Sequence, residues 1–120
     1  MLNVSTLQNP VLHRSDNLRD PAVLPVEGGY WVYFTRYSNG EWGCAENWAV
    51  ASMFTRDFKT FEGDRDITPN NFASPGDPTW WHGRLILPFQ SYPVMPQQLY
   101  YSVCEAGDGR DWSDPIPVLE

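Results

Sequence analysis

Apolar residues in this chain come in short runs separated by turn-forming residues, and a helical period is scarce. The clearest run is YWVYFTR at 30–36. Tyr30, Val32 and Phe34 would lie on one side of an extended strand there, with Trp31 and Tyr33 on the other. WAVASMF at 48–54, RLILPFQ at 84–90 and LYYSVC at 99–104 resemble it in length and apolar content. Such runs, rich in aromatic and branched side chains and bounded by Gly, Pro and Asn, predict strands near 30–36, 48–54, 84–90 and 99–104. Because both faces of the first run are apolar, its sheet is expected to be covered on both sides. Gly28-Gly29, Asn39-Gly40 and His82-Gly83 supply the turns.

The runs recur in one order. Asp20-Pro21 leads through AVLPV to Gly28-Gly29 and YWVYFTR; after a polar loop come WAVASMF and TRDFKTFEG. Asp77-Pro78 leads through TWW to His82-Gly83 and RLILPFQ; after a Pro-rich loop come LYYSVC and EAGDGRDWSDP. Asp20 and Asp77 lie 57 positions apart (77 − 20), and Phe61 and Trp112 lie 51 apart (112 − 61). Two copies, 17–66 and 72–118, within a single domain 1–120 fit the period of roughly 50 residues expected of a β-propeller blade. The predicted fold class is therefore all-β: about two four-stranded antiparallel blades, a partial propeller. The alternative is a small β-sandwich in which hairpin punctuation alone creates the similarity.

Composition narrows this only a little. A chain of 120 residues is one domain by length and buries roughly two thirds of its unfolded surface. A net charge of −7 speaks against a nucleic-acid surface, which needs a basic patch, and is read as a solubility feature. The N-terminal MLNVSTLQNP has no basic start and no apolar run. No signal peptide or membrane span is expected, and the location predicted is cytoplasmic. Cys44 and Cys104 are expected to be buried free thiols rather than a disulfide. His13 and His82 are far apart, so no metal site and no cofactor are expected.

LRDPAVLPVEGGYWVYFTRYS, followed by WAVASMFTRDFKTFE, resembles an early blade of the five-bladed β-propeller glycoside hydrolases. That group holds arabinanases, β-xylosidases and arabinofuranosidases, with the related invertases and levansucrases. SPGDPTWWHGRLILPFQSYP with LYYSVCEAGDGRDWSDP resembles the next blade. The shared elements are an Asp-Pro before the innermost strand, a Gly hairpin, and a Ser…Asp…Trp/Phe close. The resemblance implies a carbohydrate partner and three carboxylates at one end of a central tunnel. One early Asp is base or nucleophile, a second Asp one blade on orients the site, and a Glu on a third blade is the general acid. On this chain the first role falls to Asp20 and the second to Asp77. If the chain starts at the second blade, Arg19-Asp20-Pro21 matches the stabilising Arg-Asp-Pro of invertase-like members. The acid has no counterpart: Glu46, Glu62, Glu105 and Glu120 are present, none in a matching context.

Independently of the resemblance, equivalent positions on successive blades converge on one axis, which would bring Asp20 and Asp77 together. Each following proline is expected to hold its Asp extended. Neighbouring carboxylates cannot both ionise freely, so their pKa values separate. Sugar hydrolysis uses such pairs, about 6.5–9.5 Å apart for inversion and about 5–5.5 Å for retention. The competing reading is that Asp-Pro is simply a turn signal. Arg19 either holds an acid or substrate hydroxyl or is a surface charge. Trp80 and Trp81 should point to opposite faces, one into the core and one free to stack on a sugar, unless both are core. The function expected is a carbohydrate-active propeller module with weak or no hydrolysis alone; a non-catalytic sugar-binding or structural module is the alternative. Its exposed blade faces predict a homo-oligomer.

Overall fold

The computed structural model describes residues 2–8, 12, 17–37, 48–93 and 95–119. Within them the chain is all-β apart from one 3-10 turn, Val4–Thr6. The strands are β1 (Asn17–Val26), β2 (Gly29–Tyr37), β3 (Trp48–Thr55), β4 (Phe61–Asp66), β5 (Phe72–Ala73), β6 (Thr79–Trp81), β7 (Arg84–Ser91), β8 (Leu99–Cys104) and β9 (Ile116–Pro117). All four predicted strands are present. No helix is long and apolar enough to cross a membrane.

Two antiparallel sheets result. The first has the order β1-β2-β3-β4. The second runs β5-β7-β8-β9, and β6 also pairs with β7, so β5 and β6 are two pieces of one interrupted inner strand. The described residues form no closed ring of sheets. Each inner hairpin closes on a backbone that favours glycine: Gly28 at φ +85, and His82-Gly83 at +48 and +77. Positive φ at such turns matches the right-handed twist of the flanking strands.

The sheets stack on a shared core. Ala22, Tyr33 and Val50 of the first meet Leu87 and Phe89 of the second, with Trp31, Phe72, Tyr100 and Trp112 packed around them. Trp112 sets its ring edge-on to Tyr33, 5.5 Å between centroids, and Phe72 does the same to Phe89 and Tyr100. Tyr33 and Phe34 are both buried although they face opposite ways, as the doubly apolar text of β2 predicts.

Register shows that the second sheet repeats the first. Val26 pairs Gly29 and Trp81 pairs Arg84 beside the two turns, so β7 residues match β2 residues 55 positions earlier. Leu87 thus corresponds to Val32 and Phe89 to Phe34. The face of the second sheet that meets the first is the counterpart of the first sheet's opposite face. The sheets therefore stack in the same sense, each presenting one kind of face to its neighbour.

The turn after the third strand is also repeated. Thr55 Oγ1 accepts from the Phe58 N–H at 2.9 Å, and Asp57 Oδ1 accepts from Lys59 and Thr60 at 2.8 and 3.0 Å. Those backbone N–H groups, Thr60 first, hold the Asp57 carboxyl below the usual carboxylate range. In the second copy Cys104 Sγ accepts from Gly109 N–H at 3.3 Å, and Asp108 Oδ1 from Arg110 N–H at 3.1 Å. Cys104 is buried and free; Cys44 lies outside the described residues.

Ser52 and Ser102 are fully buried, and neither Oγ has a hydrogen-bond partner among the described residues. A buried unsatisfied hydroxyl costs about 1–3 kcal/mol. Ser102→Ala is accordingly expected to raise the unfolding midpoint by roughly 2–5 °C. A thermal melt followed by near-ultraviolet circular dichroism checks this; a lowered midpoint would mean the hydroxyl is satisfied.

Candidate functional site

Asp20 sits where β1 is irregular: Arg19 pairs Thr35 and Ala22 pairs Tyr33, so Asp20 and Pro21 together oppose a single residue. This bulge turns the Asp20 backbone to φ +57. The expectation that Pro21 holds Asp20 extended is not met. An extra residue must be absorbed at this point, and Asp tolerates the left-handed region better than most side chains.

The Asp20 carboxylate is tied to both sheets. Thr35 of β2 donates its hydroxyl to Oδ2 at 3.0 Å, and Ser74, just after β5, donates to the same oxygen at 3.3 Å. The Ser74 N–H donates in turn to Thr35 Oγ1 at 2.7 Å. Thr35 is fully buried while Asp20 is exposed, so a rigid hydroxyl pair holds a carboxylate at the surface. Oδ1 has no donor among the described residues. Nearby, Asn71 accepts a backbone bond from Tyr92 and donates one to Trp48 O, at 2.9 and 2.7 Å, lacing the sheets together at this end. Trp48 and Tyr92 meet edge to face at 4.8 Å, and the Arg19 guanidinium lies 5.8 Å from the Trp48 ring centroid, within cation–π range.

The residue that corresponds to Asp20 in the second copy is Ser74. Arg19 pairs Thr35 and Ala73 pairs Gln90, and Gln90 is the counterpart of Thr35. Ser74-Pro75 therefore occupies the place of Asp20-Pro21, and Ser74 shares its left-handed backbone, at φ +60. Asp77 lies three residues further along, up to roughly 10 Å of chain. Asp77 is exposed; its carbonyl accepts from Thr79 Oγ1 at 2.9 Å, and its carboxylate has no partner among the described residues. The Asp-Pro repeat in the sequence is thus out of register with the repeat in the fold.

Trp80 and Trp81 are both more than half exposed, at 59% and 57%, so neither is the core residue expected of one of them. Both lie in β6 just before the β6–β7 turn, away from Asp20. Trp80 lines a cleft of about 530 Å³ with Leu24, Glu27, Trp31, Asp108 and Arg110. Leu24 to Val26, which also line it, lie roughly 13–20 Å along β1 from Asp20 at about 3.3 Å per residue. His82 is exposed, as expected, with Trp81 against it at 4.3 Å.

The two described candidate acids, Glu62 and Glu105, are not at the Asp20 end either. Glu62 follows the turn after β3 and pairs with Arg56 at 3.4 Å; Glu105 directly follows β8 and pairs with Arg84. Both lie at the end of the sheets opposite Asp20. Glu46, Glu120 and His13 lie outside the described residues. Thr35 and Ser74 were the site residues missed by sequence reasoning. The available signal was the phrase Ala73-Ser74-Pro75, in which Ser74 stands ten positions before the next strand (84 − 74) where Asp20 stands nine (29 − 20), without the charge.

Among the described residues, no group of three or more His, Cys, Asp or Glu is placed to hold a metal. No protein-family model matches the chain, and no curated protein is significantly similar to it.

Proposed function

We propose that this protein is a carbohydrate-binding module built on the β-propeller plan of the glycoside hydrolases its sequence resembles, with Asp20 as the ligand-holding carboxylate. The same-sense stacking of two copied sheets supports that plan. The observation that carries the functional reading is Asp20 itself. An exposed carboxylate is held in a strained left-handed backbone by hydroxyls from both sheets, and Oδ1 is free to accept from a sugar hydroxyl. Strain kept at an exposed position points to use of that position.

Binding without efficient cleavage is the form of the reading favoured here, because Ser74 stands where a second blade's orienting Asp was expected and no described Glu lies at the Asp20 end to serve as the acid. Loss of general-acid help alone is worth about 10²–10⁴ in rate. Asp77 retains a secondary role, reached by a longer ligand. The protein should bind arabino- or xylo-oligosaccharides and turn over aryl glycosides slowly or not at all. Asp20→Asn should abolish binding at the Asp20 site and residual turnover, while Asp77→Asn should reduce turnover and leave binding there within about twofold. Calorimetric titration with both oligosaccharide series and 4-nitrophenyl glycoside assays read this out. Unchanged binding by Asp20→Asn, or rapid hydrolysis of a natural polysaccharide, would overturn the reading.

A further inference from the structure

We infer that the cleft at the other end of the sheets is a second sugar-binding site, with Trp80 as its stacking platform. The choice of sugar as ligand rests in part on the function proposed above, but the cleft stands on its own geometry. At about 530 Å³ it falls within the roughly 300–1,000 Å³ of small-molecule clefts. It opens between the two sheets, lined by the tail of β1, Trp31 of β2, Trp80 of β6 and the turn after β8.

The floor is rigid. Trp31 donates its indole N–H to Asp108 O at 2.9 Å, and Tyr33 donates its hydroxyl to Gly109 O at 2.6 Å, which pins that turn to the first sheet. Trp80 leans on Gly107, where an added Cβ would come within 2.8 Å of the indole. A large aromatic ring is thus fixed from below and more than half exposed. A ring held in place, yet open to water, costs little further entropy when a flat apolar face stacks on it.

The charges around it select the ligand. The Arg110 guanidinium and the Glu27 carboxylate both line the cleft, and neither has a partner among the described residues. Asp108 turns Oδ1 toward the Arg110 N–H and the Cys104 thiol. An anion bound here would meet two carboxylates, and a cation would meet the guanidinium. A neutral molecule with one apolar face and many hydroxyls suits all of these groups at once: C–H groups on the indole, acceptors toward Arg110, donors toward Glu27. A sugar ring has that chemistry.

The test titrates the whole chain with xylohexaose, arabinohexaose and cellohexaose separately, following ¹H–¹⁵N spectra that include the indole N–H signals. At least one probe should shift the Trp80 indole and the Gly107 and Arg110 amides saturably. Trp80→Ala should weaken that binding at least 10-fold and Arg110→Gln about 3–10-fold, while Asp20→Asn leaves it within twofold. Trp80 is exposed, so a retained amide spectrum certifies folding of the variant. No saturable shift at Trp80 with any probe, or unchanged affinity in Trp80→Ala, overturns the inference. Shifts confined to the Thr35 and Ser74 amides would sink this site and spare the one at Asp20; shifts confined to the cleft would do the reverse.

Discussion

Gly109→Ala is expected to lower the melting temperature by roughly 10–20 °C. Gly109 sits at φ +82 in the turn after β8, buried between the sheets. An added Cβ would lie 2.7 Å from both Trp31 Cδ1 and the Tyr33 hydroxyl, and 2.8 Å from Leu24 Cδ2. These atoms cannot easily retreat. The Tyr33 hydroxyl donates to Gly109 O at 2.6 Å, and Trp112 donates its indole N–H to the same oxygen at 3.0 Å. Left-handed backbone costs a non-glycine residue about 1–2 kcal/mol, and overpacking adds about 1–3 kcal/mol. Gly63→Ala is the control: φ is +71, but nothing lies within 4 Å of the added Cβ. It should cost only the backbone share, about 1–2 kcal/mol. Differential scanning calorimetry of the pair separates packing from conformation, and equal losses would show that Gly109 matters only for its φ. In the first copy the equivalent place is taken by Phe58, at φ +57. The tight approach, and so the glycine, is needed only where the turn meets a neighbouring sheet.

The second large effect expected is on molecular mass. At micromolar concentration the protein should associate head to tail, and Leu99→Asp should return it toward a 13.8 kDa monomer. The physical reason is the same-sense stacking. The second sheet's covered face, with Leu87 and Phe89, corresponds to Val32 and Phe34 on the far side of the first sheet. There Phe34, Ala51 and Met53 pack with Leu12, Leu18, Val32 and Phe61, and an apolar groove of about 490 Å³ includes the exposed Val23. The counterpart of the first sheet's inward face is the outer face of β7 and β8, where Leu99 is 63% exposed. A contact made by unlike faces closes rings or propagates. Two chains would give four sheets and three would give six. Leu99→Asp lies on one face and Val23→Asp on the other, so each should break association and a mixture of the two should restore a single contact. Sedimentation velocity reads this directly. A concentration-independent monomer for the unaltered chain would overturn this expectation.

Strand positions were legible in the sequence because they depend on local chemistry. Runs of aromatic and branched residues between Gly, Pro and Asn leave few other conformations, and the four predicted strands lie within β2, β3, β7 and β8. The doubly apolar text of β2 also stated that both of its faces would be covered. The repeat was visible too, since Asp57 and Asp108, and Phe61 and Trp112, keep one spacing of 51 positions. Those residues close the same turn twice. Asp20 could be singled out, but not its neighbours. Inner-strand register depends on a bulge in β1 and on the break between β5 and β6; Pro21, Pro75 and Pro78 mark where these strands are interrupted, but how many residues each interruption absorbs is set by how the two sheets pack. A shift of three residues there exchanges Asp77 for Ser74, and only the stacked sheets could bring Ser74 and Thr35 onto one carboxylate oxygen. Trp80 and Trp81 show the same limit. Alternation places successive side chains on opposite faces, but whether a face is covered depends on what lies across the gap, and at the β6–β7 turn that is an open cleft.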